Sequence, residues 1–438
     1  MNFLAILFTV LSVATICFSL TKPKYGALCY LIYMYLAPYL YIGGHIIYAR
    51  VAALMFVFFL IFKLSTSLTW NKLKPLVPYI VFLLWNLVFV FGAEHVGESF
   101  SRWTKDVSSL VFIVFLYANM CADIGAVKIY KWTLFSICLV FTLYGLFLTT
   151  IPGLNPYRLL VSPMFGTEFN EAYAAGNSGL VTSTILAEGR LFGRISSVFD
   201  HPMTYGLNLG FFFIYSLYLF KDKPKVLVCI LALIIAAIIT SGTRTPIGAL
   251  GLTVLAIVLY MRKIKYFTFG ILGFIAVFYI VSLISLDAKD YLMSIVNSDD
   301  SITQGSSLNM RIEQLQGSFD IVRNDLLLGK GYGWTQWYNS TFGGHPKARF
   351  FESIIYCVLV NTGIVGFVLW GWFVVKYYFF AKVNIEDKFL RMAVLALLFY
   401  FLIYCGITGD FNIKNMFVFF VVMVGINMEN KQLALKIS

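Results

Sequence analysis

Charged residues are scarce in this sequence: only 12% of its 438 residues are Asp, Glu, Lys or Arg, whereas 60% are hydrophobic. Soluble globular chains hold about 45–50% apolar residues, so the composition excludes an ordinary soluble domain. Apolar runs of about 18–20 residues recur along the chain, and each is long enough to cross a bilayer core of about 30 Å. Alternating segments of about ten residues, which build transmembrane barrels, do not occur. The runs therefore predict an all-α, polytopic integral membrane protein.

The sequence also has few residues of the kind that hold metal ions. It contains four histidines and seven cysteines. The cysteines form no metal-spaced pair and lie in or beside apolar runs, as small buried hydrophobic residues do. No Asp-x-Asp motif occurs, and the adjacent Asp299 and Asp300 lie in a polar loop, where carboxylates are usually solvated. We expect neither a metal nor a cofactor.

Basic residues outnumber acidic ones and give a formal net charge of +12. They cluster in short loops between apolar runs, at residues 21–24, 221–225, 261–265 and 376–391. This distribution follows the positive-inside rule, so it favours membrane topology over a nucleic-acid partner. With the basic loops in the cytoplasm, residues 152–202, 240–245 and 288–351 are predicted to lie outside, and the C-terminus inside.

About 12–13 transmembrane helices fit the sequence. They are predicted to begin near residues 3, 25, 46, 75, 107, 131, 203, 226, 246, 266, 352, 388 and 412. The chain then divides into N-terminal transmembrane helices (1–151), a first external loop (152–202), central helices with Arg244 (203–287), a large external loop (288–351) and C-terminal helices (352–438).

The large external loop contains a periodic apolar pattern. In "NMRIEQLQGSFDIVRNDLLLGKGYG" the residues Ile312, Leu315, Phe319 and Val322 recur at spacings of 3, 4 and 3. This spacing places them on one face of a helix. We expect the helix to lie on the outer membrane face and to end in the "NDLLLGKGYG" segment.

Three arginines, Arg194, Arg244 and Arg311, lie at the predicted outer rim near Gly, Ser or Thr residues. A cation at a membrane edge is costly unless an anion meets it, and the guanidinium donors match phosphate oxygens in pairs. Each arginine alone is as compatible with reaching the interface or pairing with a loop carboxylate. Three arginines together on one face favour an anion-binding site.

Other candidate contacts have two interpretations each. His201, in "HPMTYG", is expected to be a turn residue, or alternatively a contact to donor or acceptor. Trp334 and Trp337 are expected either to pack within the large loop or to stack against sugar rings.

The motifs together resemble the family of O-antigen ligases and polymerases. "TSGTRTPIGAL" resembles its Ser-x-Ser-Arg-Gly motif, and "NMRIEQLQGSFDIVRNDLLLGKGYG" resembles its Arg-led helix running into a Gly-x-Gly loop. "FFESIIYCVLVNTGIVGFVLW" is similar to the segment written His-Asn-x-x-Leu that ends in Gly-Ile-x-Gly, and "RISSVFDHPMTYG" is similar to an arginine followed by a His-Pro turn. The resemblance covers roughly residues 190–375.

This resemblance implies a multi-pass glycosyltransferase of the bacterial cytoplasmic membrane with a C-type glycosyltransferase-like fold. Such enzymes transfer a glycan from an undecaprenyl diphosphate carrier to an acceptor hydroxyl on the extracytoplasmic face. The family's arginines hold the lipid diphosphate, which implies that role for Arg244 and Arg311, with Arg194 as a third. The implied partners are the lipid-linked donor, the glycan acceptor, membrane lipid and a chain-length regulator protein.

One position departs from the family pattern. Counting back eleven residues from Gly363 reaches Glu352, where the ligases carry a histidine. A carboxylate there can act as a general base toward a sugar hydroxyl, or it can orient the acceptor. Alternatively, Glu352 pairs with Arg349 or Lys347. His345 is the rival base, and Arg349 is also a candidate substrate contact.

We expect the reaction to be polymerisation of oligosaccharide repeat units of an O-antigen, capsule or exopolysaccharide, because loss of the histidine argues mildly against lipid A–core ligation. One alternative is ligase-type transfer of finished glycan to a lipid or protein acceptor. The alternative of another class is a transporter or flippase for the lipid-linked glycan. The polar signals concentrate at one face rather than deep in several spans, which favours chemistry at that face over transport.

Overall fold

The long apolar runs form α-helices in the computed structural model, which describes residues 17–18, 21–36, 69–151, 155–157, 195–199, 201–262, 308–409 and 413–437. No strand occurs among these residues, which contain only an isolated bridge between His345 and Arg349. The prediction of an all-α fold is confirmed. The helices are α1 (Pro23–Leu36), α2 (Trp70–Leu73), α3 (Val77–Phe91), α4 (Val96–Ala122), α5 (Gly125–Leu148), α6 (Pro202–Leu219), α7 (Pro224–Thr240), α8 (Arg244–Met261), α9 (Leu308–Val322), α10 (Trp334–Phe342), α11 (Ile354–Asn384), α12 (Lys388–Thr408) and α13 (Ile413–Ile437).

Six helices of the described residues are long and apolar enough to cross a membrane, namely α4, α5, α8, α11, α12 and α13. Two shorter apolar helices, α3 and α7, accompany them. The prediction of a polytopic membrane protein is confirmed. Spans expected near residues 25, 75, 107, 131, 203, 226, 246, 352, 388 and 412 fall on helices, whereas those expected near residues 3, 46 and 266 lie outside the described residues.

Contacts divide the chain into two compact units. The first contains the described residues of Met1–Met34, Leu40–Leu134 and Arg311–Ser438. The second contains those of Tyr35–Tyr39 and Phe135–Met310. The first unit therefore joins helices from the two ends of the sequence.

In the first unit, N-terminal helices pack directly on C-terminal ones. α4 packs against α3 and α13, and α3 packs against α11. The Tyr79 ring of α3 stacks on the Phe417 ring of α13, with centroids 4.3 Å apart. The ring contact places the beginning of α3 beside the beginning of α13.

In the second unit, α6 is buried along almost its whole length and packs against α7 and α8. Near its start, Gly206 lies so close to Pro246 of α8 that a Cβ at this position would overlap the proline ring. The close approach means that α6 and α8 begin at the same end of the second unit.

α11 is interrupted at Gly363, whose φ of 62° and ψ of −161° are not helical. A break inside an apolar span leaves backbone groups without their usual helical partners, which is costly in a membrane. The loop that follows α9 supplies replacements before the break. The N–H groups of Lys330 and Gly331 donate to the carbonyl oxygens of Val360 and Asn361, at 2.8 and 3.0 Å.

The same loop supplies acceptors after the break. The N–H groups of Ile364 and Val365 donate to the carbonyl oxygens of Leu326 and Leu327, at 3.0 and 3.2 Å. Only glycine fits where the two backbones meet, because a Cβ on Gly363 would overlap the Leu327 carbonyl. The loop that follows α9 is thereby fixed onto the interrupted span.

Candidate active site

The Arg311 guanidinium is held by main-chain oxygens. Its Nη1 donates to the carbonyl oxygens of Glu352 and Ile407, at 3.1 and 2.6 Å, and the Tyr356 hydroxyl donates to the Arg311 carbonyl at 3.0 Å. Glu352 precedes α11 and Ile407 lies in the last turn of α12. The basic residues Lys382, Lys388 and Arg391 flank the connection between α11 and α12, at the opposite ends of these helices. The positive-inside rule therefore predicts that Arg311 and Glu352 are extracytoplasmic.

Glu352 is half-buried. Its backbone N–H donates to Gln314 Oε1 at 3.2 Å, which fixes the main chain against α9. Its carboxylate has no hydrogen-bond or ion-pair partner among the residues that the structure describes. Lys347, one of the two partners considered for it, instead forms an ion pair with Asp320 at 2.6 Å. The carboxylate is therefore available to another group.

The amphipathic helix predicted in the large loop is confirmed as α9. Three residues of its apolar pattern, Ile312, Leu315 and Phe319, are exposed, whereas the fourth, Val322, is fully buried, as are the polar residues Gln314 and Ser318. This arrangement is the reverse of a soluble surface helix, in which the apolar stripe faces the core. An exposed apolar face beside membrane spans is the arrangement expected of a helix on the membrane surface.

His345 lies in a tight turn closed by paired backbone hydrogen bonds with Arg349, at 2.8 and 2.7 Å. Its Nδ1 accepts from the N–H groups of Lys347 and Ala348, at 3.2 and 3.3 Å. Burial lowers the pKa of His345, and the Lys347 ammonium lowers it further. A neutral imidazole whose Nδ1 accepts hydrogen bonds carries its proton on Nε2. In this arrangement Nε2 is a donor rather than a base.

The two tryptophans of the large loop have different environments. Trp334 is only 7% exposed, and its Nε1 donates to Glu94 Oε2 at 3.0 Å. Trp337 is half-buried, and its ring lies on the His95 imidazole with centroids 3.6 Å apart. Loop packing therefore accounts for Trp334, whereas Trp337 keeps exposed ring surface.

In the second unit, Arg244 is the first residue of α8 and follows a turn at Gly242, whose φ is 63°. The buried hydroxyls of Ser241 and Thr243 lie 2.7 Å apart in this turn. No side chain of the described residues caps α8, and its first turn contains no acid. The half-buried Arg244 side chain and the first N–H groups of α8 thus share one helix end.

His201 caps α6, since its Nδ1 accepts from the Met203 N–H at 3.1 Å. This is the turn role expected for it. Because α6 and α8 begin at the same end, His201 and Arg244 lie at that end of the second unit. Arg194 lies outside the described residues. Ser197, three residues further along, donates its hydroxyl to the Phe141 carbonyl at 2.7 Å.

The chain from α7 into α11 corresponds to a known family. Residues 229–371 match the O-antigen ligase family model. The resemblance is confirmed over this segment, which contains Arg244, Arg311, His345 and Glu352. The O-antigen ligase family comprises glycosyltransferase-like enzymes that act on lipid-linked glycans. A comparison with curated proteins finds no match.

A polar cavity in the first unit includes residues outside the matched segment 229–371. It lies between α3, α4, α11 and the beginning of α13. On its wall the Tyr332 hydroxyl donates to Asp106 Oδ2 at 2.7 Å, and Arg102 Nε lies 3.6 Å from the same oxygen. The sequence prediction missed this pair because it began the span near residue 107. The Arg-Asp spacing of four residues was the available signal.

Proposed function

We propose that the protein is a membrane glycosyltransferase that polymerises oligosaccharide repeat units carried on undecaprenyl diphosphate, at the extracytoplasmic face. One observation carries the proposal. Within residues 229–371, which match the O-antigen ligase family model, Arg311 is fixed against the main chain of Glu352. The Glu352 carboxylate itself has no partner among the described residues. A cation beside an available carboxylate supplies what departure of a diphosphate and activation of a hydroxyl require.

The diphosphate is assigned to Arg244 and Arg311, with Arg194 as a third contact. A cation at the N-terminal, positive end of a helix is unfavourable in the absence of an anion, yet Arg244 opens α8 where no described side chain caps the first turn. A phosphate group bound there would accept from the first backbone N–H groups of α8 and lie close to the guanidinium charge. This supports Arg244 as a phosphate ligand rather than a residue that only reaches the interface.

Glu352 is proposed as the general base and His345 as its weaker rival. The Glu352 carboxylate is available, whereas His345 is held in the tautomer that donates from Nε2. In the proposed step, the acceptor hydroxyl passes its proton to Glu352 while its oxygen bonds to the anomeric carbon of the donor. The bond from that carbon to the diphosphate breaks, and undecaprenyl diphosphate leaves with the electron pair. Arg349, Trp337 and His201 remain candidate substrate contacts.

Ligase-type transfer is the second candidate, and the description of the matched family favours it. The bond that breaks and the bond that forms are the same in both reactions. They differ in the acceptor, which is a second repeat unit for a polymerase and a finished lipid or protein anchor for a ligase. A polymerase is further proposed to work in the cytoplasmic membrane with a chain-length regulator protein.

Glu352→Gln is expected to lower the rate of glycan transfer by at least about 100-fold, the usual contribution of a positioned general base. The purified protein is reconstituted in liposomes with lipid-linked oligosaccharide extracted from its host. The glycan is then released, and the rate of transfer is measured from its length. The matched control is Glu313→Gln on the exposed side of α9, for which transfer is expected to be unchanged. Unaltered transfer by Glu352→Gln would remove Glu352 from the mechanism.

The product of this assay separates the candidate functions. Lengthened glycan on the lipid carrier supports a polymerase, and transfer of unlengthened glycan to an added lipid or protein acceptor supports a ligase. Movement of the lipid-linked glycan between leaflets, with no change in its covalent structure, would contradict both and support transport.

A further inference from the structure

The polar cavity of the first unit contains a buried amide with no partner. The Asn86 side chain is 1% exposed, and neither its Oδ1 nor its Nδ2 has a hydrogen-bond partner among the described residues. Asn86 belongs to α3 and lines the cavity. An unsatisfied buried amide is costly, so Asn86 calls for a ligand that can both donate to its oxygen and accept from its nitrogen.

The opposite walls offer groups of the same mixed kind. Asp106 supplies carboxylate oxygens and already accepts the Tyr332 hydroxyl. Asn361 accepts the Thr335 N–H through Oδ1 at 2.9 Å, and its Nδ2 has no acceptor among the described residues. Trp370 adds an aromatic ring to the lining. Donors, acceptors and an aromatic surface therefore meet in one cavity.

This combination fits a sugar ring better than a free anion. Sugar hydroxyls donate and accept in turn, which suits Asn86 and Asp106 together, and the C–H face of a sugar packs on an aromatic ring. The lining contains the cations Arg102 and Lys414 as well as Asp106, so charge alone does not exclude an anion. A phosphate group at neutral pH, however, offers only acceptors and cannot donate to Asn86 Oδ1. The cavity lining therefore favours a polyhydroxylated, uncharged part of a ligand.

The cavity lies close in sequence to the candidate base, although Glu352 itself does not line it. Ile354, two residues after Glu352, lines it, and Cys357 on the next turn of α11 also lines it while donating its thiol to the Phe351 carbonyl at 3.4 Å. We propose that this cavity is a subsite for a sugar ring of the acceptor glycan and that Asn86 is one of its specificity-determining residues. Only the assignment of the bound glycan as the acceptor rests on the proposed function, because sugar binding itself needs no catalysis.

The test measures two bindings separately on the full chain in nanodiscs. One probe is oligosaccharide released by mild acid from the lipid-linked pool of the host, and the other is undecaprenyl diphosphate without sugar. Asn86→Leu keeps the size of the side chain and removes the amide. We expect it to weaken oligosaccharide binding at least tenfold and to leave undecaprenyl diphosphate binding unchanged. Its thermal unfolding temperature is expected to stay equal or rise, because the unpaired amide is gone.

Two further variants keep the test decisive. Ser216→Ala removes another buried polar group without a partner, in α6 of the second unit, and is expected to leave oligosaccharide binding unchanged. Asp106→Asn removes the carboxylate that α4 contributes to the cavity. It is expected to weaken oligosaccharide binding, and it provides a test even if Asn86→Leu does not fold.

Failure of the inference and failure of the proposed function give different results. If the wild-type protein binds undecaprenyl diphosphate but not the oligosaccharide, or if Asn86→Leu or Asp106→Asn binds the oligosaccharide as tightly as the wild type, the sugar subsite is wrong. If the wild-type protein binds the oligosaccharide through Asn86 and Asp106 but does not bind undecaprenyl diphosphate, the subsite stands and the lipid-diphosphate assignment fails.

Discussion

Arg244→Ala is expected to reduce glycan transfer by at least about 100-fold, which is the usual effect of removing one preorganised donor to a developing negative charge. Arg244 opens α8 at an end without a described side-chain cap, so its charge and the helix N–H groups would act on the same phosphate. Lysine keeps the charge but loses the paired donors. Arg244→Lys is therefore expected to retain more activity than alanine and less than the wild type.

The measurement for Arg244 is the initial rate of transfer in liposomes, with thermal unfolding as a check on folding. Arg262→Ala is the matched control, because Arg262 is an exposed arginine at the other end of the same helix. It is expected to transfer glycan at the wild-type rate. Full activity of Arg244→Ala would show that Arg244 does not bind the diphosphate.

Arg311→Ala is expected to lose transfer to a similar extent, but with a second effect. The Glu352 and Ile407 carbonyls lose the donor that joins α9 to the ends of α11 and α12, so the thermal unfolding temperature should fall as well. Arg311→Ala should therefore lower both stability and activity.

Gly363→Ala is expected to destabilise the fold by about 3 kcal/mol or more, because two costs coincide. The φ of 62° and ψ of −161° lie in a region that is essentially restricted to glycine. The added Cβ would also overlap the Leu327 carbonyl and lie 2.7 Å from the Gly329 nitrogen. Either the loop separates from the interrupted span or the variant does not accumulate as folded protein.

Gly371→Ala provides the matched control for Gly363, since it lies further along the same helix with open space around its Cβ position. It is expected to be neutral or slightly stabilising, because alanine has the higher helix propensity. The measurement is thermal unfolding in detergent followed by the transfer assay. A Gly363→Ala variant as stable as the wild type would contradict the docking of the loop into the break.

The sequence predicted the elements whose signal is local. Apolar length indicated the spans, and the spacing of Ile312, Leu315 and Phe319 indicated α9, although it did not show that Val322, the fourth residue of the pattern, is buried. The Arg311 and Glu352 motifs were visible as charged residues at the edges of apolar runs. These elements are predictable because a membrane span and an amphipathic helix are each specified by a pattern within one continuous stretch of sequence.

The tertiary features could not be predicted in the same way. Residues 352–375 read as one continuous apolar span, and nothing in that run shows that the backbone of Leu326 and Leu327 completes its hydrogen bonds. The cavity was missed because Asn86 is an isolated polar residue in an apolar helix. A sequence pattern cannot distinguish such a residue in a binding site from one that is merely tolerated in the span. Many of the other residues that line the cavity belong to α11 and α13, which are distant from Asn86 in sequence.

The most direct test of the central claim is cryo-electron microscopy of the full chain in nanodiscs with undecaprenyl diphosphate. The account predicts that the two phosphates lie on the extracytoplasmic side, with oxygens about 2.8 Å from guanidinium nitrogens of both Arg244 and Arg311. A diphosphate bound elsewhere, or the two arginines on opposite sides of the bilayer, would contradict it.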